Sequence, residues 1–163
     1  MKVLFILDDY SIGIPETSLI AYFKYLKMNR WTIIFAIKSI KEQPCFRDLD
    51  LYIDRLYNLN FDLDDCSSKS ILFLFNQINE IVLKENVNLV HIYSPFCIQC
   101  VFLSCVENNI PAILTLYDNF SFSSSFPLDY FLNNVILPSI KILTANKRIF
   151  ETYKNELDIH YLP

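Results

Sequence analysis

Short runs of apolar, β-branched and aromatic residues recur along this chain, and between them the apolar residues fall at helical spacing. The runs are Met1–Leu7, Trp31–Ile37, Asn88–Ile92, Pro111–Leu116, Ile140–Thr144 and Ile159–Leu162. Continuous apolar runs of this length are what strands covered on both faces look like, whereas a strand with one wet face would alternate. Strand and helix taken in turn build βαβ units, and their crossovers are right-handed. The expected fold class is therefore α/β: a Rossmann-like, mostly parallel sheet with helices on both faces, in a single domain over 1–163.

The first unit carries the only glycine of the chain, Gly13, in Tyr10-Ser-Ile-Gly-Ile-Pro-Glu-Thr17. Pro15 suits a first helical turn, where its missing N–H is no loss, and Ser11 and Thr17 are alternative caps. Leu19, Phe23 and Leu26 follow at helical spacing, with Lys24, Lys27 and Arg30 toward the negative end of the dipole. A strand turning tightly into a helix offers backbone N–H groups to an anion. Further along, Lys38–Asp50 is polar, contains Pro44 and reads as a loop. Leu51–Ile53 with Leu56–Leu59 supply a short third strand near an edge. Ser67 or Ser68 caps a helix whose apolar face is Ile71, Leu74, Phe75, Ile78, Ile81 and Val82. Phe96–Glu107 is a well-buried helix. Asn119–Pro127 has no period and is a loop, either a lid or an ordered surface loop with docked aromatics. Leu128–Leu137 and Ala145–Asn155 have helical patterns.

Composition narrows the partners. A net charge of −4 and a pI near 5.1 argue against nucleic acid and against an anionic membrane surface, both of which want a basic patch. Every apolar run breaks well before the roughly 18 residues a spanning helix needs, and the N-terminal run is too short for an export signal. The five cysteines, at 45, 66, 97, 100 and 105, are odd in number and scattered, which points to a reduced, cytoplasmic setting. Cys97-Ile-Gln-Cys100 has redox or zinc spacing but no second pair or histidine cluster, so these thiols read as core. A hydrophobic fraction of 53% and mean hydropathy of +0.28 exceed the average soluble domain, at roughly 45–50% apolar. Two readings follow: apolar surface held for a partner, a second domain or self-association, or an Ile-, Phe- and Tyr-rich buried sheet.

In a parallel sheet of this kind ligands bind beyond the carboxyl ends of the strands, where the strand order reverses. If the early units wind one way and the later ones the other, the first strand neighbours the His91 strand. The loops Asp8–Pro15, Tyr93–Pro95 and Tyr117–Asn119 then converge on one crevice.

Four segments in that order also resemble a known family. Asn88-Leu-Val-His-Ile-Tyr-Ser-Pro95 is similar to a "D-V-V-H-x-H-S-P" strand end, and Ile110-Pro-Ala-Ile-Leu-Thr-Leu-Tyr-Asp118 to an "I-P-V-V-x-T-x-H-D" strand. Ser139-Ile-Lys-Ile-Leu-Thr-Ala-Asn146 and Ile159-His-Tyr-Leu-Pro163 are similar to the strand before the last N-domain helix and to the start of a "V-I-P-N-G" linker. Together they make the chain resemble the N-terminal, acceptor-side half of a GT-B glycosyltransferase of the retaining family 4 type. Gly13-Ile-Pro-Glu16 aligns with that family's "G-G-x-E" loop, with Ile14 in place of the second glycine, whose side chain obstructs close backbone approach to a diphosphate. Tyr93 and Tyr117 stand where the family has histidines.

The resemblance implies transfer of a hexose from a nucleotide-diphosphate sugar with retention, no cofactor beyond that donor and no obligatory metal. It implies a C-terminal donor-binding domain, or a separate partner chain, without which these 163 residues would not transfer sugar. Asp118 is the candidate catalytic residue, binding acceptor hydroxyls or assisting proton transfer, with a turn or helix cap as the alternative. The candidate substrate-binding residues are Gly13, Glu16, His91, Tyr93, Ser94 and Tyr117. Among them His91 either faces the sheet interior or touches ligand, the two tyrosines either stack on ligand or pack at the crevice rim, and Glu16 either meets acceptor or complements the helix dipole. Two further classes stay open: a non-catalytic binding or scaffolding subunit of a glycosyltransferase complex, and a small flavodoxin-like nucleotide or flavin binder.

Overall fold

The computed structural model describes residues 1–7, 16–38, 46–60, 67–93, 98–116, 140–155 and 159–161. In chain order the elements are β1 (Lys2–Leu7), α1 (Glu16–Met28), β2 (Thr32–Ile37), α2 (Phe46–Asp50), β3 (Arg55–Asn58), α3 (Ser68–Glu85), β4 (Leu89–Ile92), α4 (Ile98–Asn108), β5 (Ala112–Leu116), β6 (Ile140–Thr144), α5 (Lys147–Tyr153) and β7 (Ile159–Tyr161). The strands form one sheet in the order β3-β2-β1-β4-β5-β6-β7, and every pairing is parallel. This is the expected Rossmann-like α/β fold. Winding starts at β1, proceeds outward through β2 to β3, then jumps back across β1 to β4 and continues the other way.

Alternate residues of each strand serve opposite faces. On one face Val3, Phe5, Leu7, Ile33, Phe35 and Ile37 pack against Leu19, Phe23 and Leu26 of α1 and Leu49 of α2. On the other, Leu4, Ile6, Val90, Ile92, Leu114 and Ile142 pack under Leu74, Ile78 and Ile81 of α3, Val101 and Cys105 of α4 and Ile149 of α5. This is the helix distribution that right-handed crossovers require of a doubly wound sheet.

Two local expectations need correcting. Within the Lys38–Asp50 loop, Phe46–Asp50 is helical. Leu49 is its fully buried anchor, and one anchor in five residues leaves no periodicity to read. Leu51–Ile53 is not strand: Tyr52 N–H donates to Leu49 C=O and Ile53 N–H to Asp50 C=O, closing a turn that delivers the chain to β3. Asp54 fixes that delivery, since its carboxylate accepts from Ile33 N–H at 2.7 Å and from Lys27 Nζ at 2.6 Å. The third strand does lie at the sheet edge. The Asn119–Pro127 loop and the Leu128–Leu137 helix fall outside the described residues.

Scarcity of glycine shows at the helix ends. Arg30, Asn86 and Asn109, just past α1, α3 and α4, have φ of 62°, 53° and 54°. Each is followed by an apolar residue whose N–H reaches back to a carbonyl five residues earlier: Trp31 to Leu26, Val87 to Val82, Ile110 to Cys105. That is the Schellman closure, which most chains build with glycine in the left-handed position. Asparagine tolerates this conformation; arginine, with an ordinary Cβ, does so at a cost. Arg30→Gly should therefore stabilise the protein by about 1 kcal/mol, read as a higher urea midpoint with an unchanged slope. An unchanged or lower midpoint would show that Arg30 is not strained.

Candidate functional site

The reversal of strand order lies between β1 and β4, so the carboxyl ends of these strands, beside β5, are where a ligand crevice is expected. Its floor is described. On the α1 side of the sheet one register row runs Phe35, Phe5, His91, Ile113, Lys141 across five strands. The next row toward the carboxyl ends includes Ile37, Leu7, Thr115, Leu143 and His160. Tyr93 joins it just past β4, its N–H donating to Ile6 C=O at 2.9 Å.

His91 is the polar centre of this floor and is 3% exposed. Its Nε2 hydrogen-bonds Thr115 Oγ1 at 2.7 Å, tying β4 to β5 just below their ends, while Nδ1 has no partner among the described residues. Aromatic rings enclose it. Tyr93 stacks on it at 4.3 Å with the planes 23° apart, Phe5 lies 5.2 Å away, and Tyr22 of α1 presents an edge at 5.7 Å. Removal from water pushes the imidazole down to about 3, because desolvation disfavours the charged form. His91 is thus a neutral, aromatic, hydrogen-bonding group at physiological pH and no proton donor there. Tyr93 is also buried, at 7% exposed, so its ring belongs to the floor as much as to the crevice.

One strand further out, Thr144 closes β6. Its hydroxyl donates to Leu116 C=O at 2.9 Å and accepts from Asn146 N–H at 3.0 Å. Asn146 in turn caps α5, its Oδ1 accepting from Arg148 and Ile149 N–H groups. The ends of β5 and β6 are therefore held in register at the crevice edge.

Of the residues singled out from sequence, the structure brings His91 and Tyr93 into contact at the switch point. Glu16 is the first residue of α1. Gly13, Ser94, Tyr117 and Asp118 lie outside the described residues. Sequence reasoning missed Phe5, Tyr22, Thr115 and Thr144. Thr115 carried a readable signal, being a hydroxyl two residues along from Ile113 and hence on the same face, but its pairing with His91 depends on a sheet register that spacing alone does not give. Among the described residues no group of three or more His, Cys, Asp or Glu is placed to hold a metal, and no helix is long and apolar enough to cross a membrane. Of the Cys97/Cys100 pair only Cys100 is described; it and Cys105 are free and buried, and burial raises their thiols to about 11 and about 12, far from a reactive thiolate.

Solved structures share this architecture. A glycosyltransferase from Rickettsia africae superposes with a TM-score of 0.73 at 22% identity, over 98% of this chain and 42% of that one. MurG from Acinetobacter baumannii gives 0.58 at 12% identity, over 89% of this chain and 41% of that one. The UDP-GlcNAc 2-epimerase from Methanocaldococcus jannaschii gives 0.62 at 18% identity, over 99% and 45%. No protein-family model and no curated protein sequence matches the chain. The likeness establishes the fold: the Rossmann-like unit found in proteins of the GT-B type, and the chain spans less than half the length of each of these three structures.

Proposed function

We propose that this chain is the acceptor-side half of a GT-B glycosyltransferase that moves a hexose from a nucleotide-diphosphate sugar to an acceptor held in the β1/β4 crevice. The observation that carries the reading is the junction itself. Strand order reverses between β1 and β4, and on the β4 side of that point the two family-like strand ends, His91–Tyr93 and Thr115–Leu116, stand side by side in a fold shared with a glycosyltransferase and a UDP-GlcNAc 2-epimerase. The neutral His91 and Thr115 form the floor, and the Tyr93 ring, buried against His91, backs it on the side toward the strand ends.

In the proposed reaction the bond from the anomeric carbon to the diphosphate breaks and a bond to the acceptor oxygen forms, with retention as in family 4. The acceptor hydroxyl gives up a proton, and Asp118, two residues beyond β5 in sequence, is our candidate to bind or deprotonate it. Gly13, Glu16, Ser94 and Tyr117 complete the proposed acceptor contacts. The donor nucleotide is proposed to sit on a second domain or a partner chain. In a full polypeptide or a reconstituted pair, Asp118→Ala should lower transfer at least about tenfold, within the range general acid–base groups supply, while circular dichroism stays unchanged. Unchanged turnover removes Asp118 from the site.

Calorimetric titration of this chain alone with UDP, GDP and a flavin should give no tight binding. Tight nucleotide binding would overturn the assignment of the donor site elsewhere, and tight flavin binding would favour a flavodoxin-like protein. Ile14 and Tyr117, standing where the family has glycine and histidine, favour one second reading, a non-catalytic subunit of such a complex. In that case no reconstitution restores transfer.

A further inference from the structure

We propose that Thr144 is a positioning residue for the transfer reaction, setting the direction in which the chain leaves β5 for Asp118. The inference rests on the acceptor-side reading above and adds to it a residue that does not itself touch the acceptor.

The end of β5 overhangs β4. The ladder between them runs Val90↔Ala112, His91↔Ile113 and Ile92↔Leu114, whereas the ladder from β5 to β6 continues through Thr115↔Leu143 and Leu116↔Thr144. Among the described residues, the last two of β5 therefore have ladder pairing on the β6 side only, and their other side is the one toward the β1/β4 junction. A side-chain bond holds each of them in addition. Thr115 Oγ1 meets His91 Nε2 at 2.7 Å from the β4 side, and Leu116 C=O accepts from Thr144 Oγ1 at 2.9 Å from the β6 side.

Thr144 is fully buried, and its hydroxyl has one orientation. A carbonyl can only accept and a backbone N–H can only donate, so with Leu116 C=O on one side and Asn146 N–H at 3.0 Å on the other, the proton lies toward Leu116. Packing does not call for this group, since valine fills the same space with no polar atom to satisfy. What the hydroxyl adds is a fixed carbonyl. Because the peptide group is planar, fixing Leu116 C=O fixes the plane from which the chain sets out beyond β5. The far end of the link is anchored too, as Asn146 Oδ1 accepts from Arg148 and Ile149 N–H groups at the start of α5. Asp118 follows Leu116 by two residues, so a tilt of this plane is passed on to it over a very short stretch of chain. A displacement of about 1 Å at a reacting group can lower a rate by about a hundredfold.

The full polypeptide or the reconstituted pair is assayed by nucleoside diphosphate release from UDP-glucose, UDP-N-acetylglucosamine and GDP-mannose, with octyl glucoside as acceptor. With the donor that turns over, Thr144→Val should lower kcat about tenfold and leave the donor KM within about twofold, because the donor is proposed to sit on the second domain or partner chain. Thr144→Ser keeps the hydroxyl and should retain most of kcat. In an Asp118→Ala background Thr144→Val should have no further effect, which a loss of stability alone would not produce. Thr144→Ala serves the same comparisons should the valine variant not fold. Full kcat in Thr144→Val overturns the inference, and so does a large loss in Thr144→Ser. An effect of Thr144→Val that is equally large with and without Asp118 overturns it as well. An inert Asp118→Ala, or no turnover of any of the three donors, is a failure of the acceptor-side reading itself; it is recognised without any change at Thr144 and takes this inference with it.

Discussion

Phe5→Ala should destabilise the protein by about 3–5 kcal/mol, the usual cost of emptying a phenylalanine site in a core. Phe5 is fully buried on a strand with neighbours on both sides. Its ring meets Phe23 at 4.6 Å, His91 at 5.2 Å, Tyr22 at 5.7 Å and Tyr93 at 6.1 Å. These neighbours come from a strand and a helix that are themselves pinned by the sheet, so they cannot collapse into the space left behind. The cost then contains a cavity contribution in addition to lost transfer free energy. Against a total of about 5–15 kcal/mol for a domain, such a loss leaves a protein near its unfolding threshold. Urea denaturation at neutral pH measures it directly. A loss below about 1.5 kcal/mol, the range of volume-conserving swaps, would mean that the cluster under the crevice is loosely packed and does not set the geometry of the floor.

How much of this was legible beforehand depended on burial. β1, β2, β4 and β5 are buried on both faces and announce themselves as unbroken apolar runs. β3, half-exposed at the edge, is flanked by turn residues and was readable only as a short strand of uncertain start. The amphipathic face of α3 was legible because six apolar residues repeat at helical spacing, whereas α2 rests on Leu49 alone. The reversal of strand order, and with it the place of the crevice, entered the sequence reading only as a condition, because the chirality of βαβ units fixes which face each helix covers and not where the order turns back. The interior of that place did not enter it at all. His91 meets Phe5 because Phe5↔His91 is the register of β1 on β4, and it meets Tyr22 because α1 crosses at one angle and not another; neither is written in residue spacing. The rarity of glycine, visible at once, draws attention to the first loop. Its larger consequence lies at three helix ends, where Arg30, Asn86 and Asn109 adopt the conformation that glycine usually takes.

Acidification should expose His91 as the most pH-sensitive group of the core. Unfolded, a histidine titrates near 6.5; in the folded protein burial holds His91 down to about 3. At pH 7 both states are neutral and the residue makes stability neither rise nor fall. Below pH 6.5 the unfolded chain gains a proton that the folded chain refuses, so stability declines as pH falls, and the decline ends only near pH 3, where the folded state also takes the proton. The gap between pH 6.5 and pH 5 corresponds to about 2 kcal/mol by pH 5, at roughly 1.4 kcal/mol per pH unit. The window from pH 7 to pH 5 suits the test because most carboxylates remain ionised throughout it. His91→Phe keeps the ring stack with Tyr93 and removes the titration, at the expense of the Thr115 hydrogen bond. Urea midpoints for this variant should start lower at pH 7 and stay nearly level, while those of the parent protein fall. Parallel declines in the two proteins would assign the acid sensitivity to another group. An imidazole resonance of His91 titrating near 6 in the folded state would remove the burial argument altogether, and with it the reading of His91 as a neutral floor beneath the crevice.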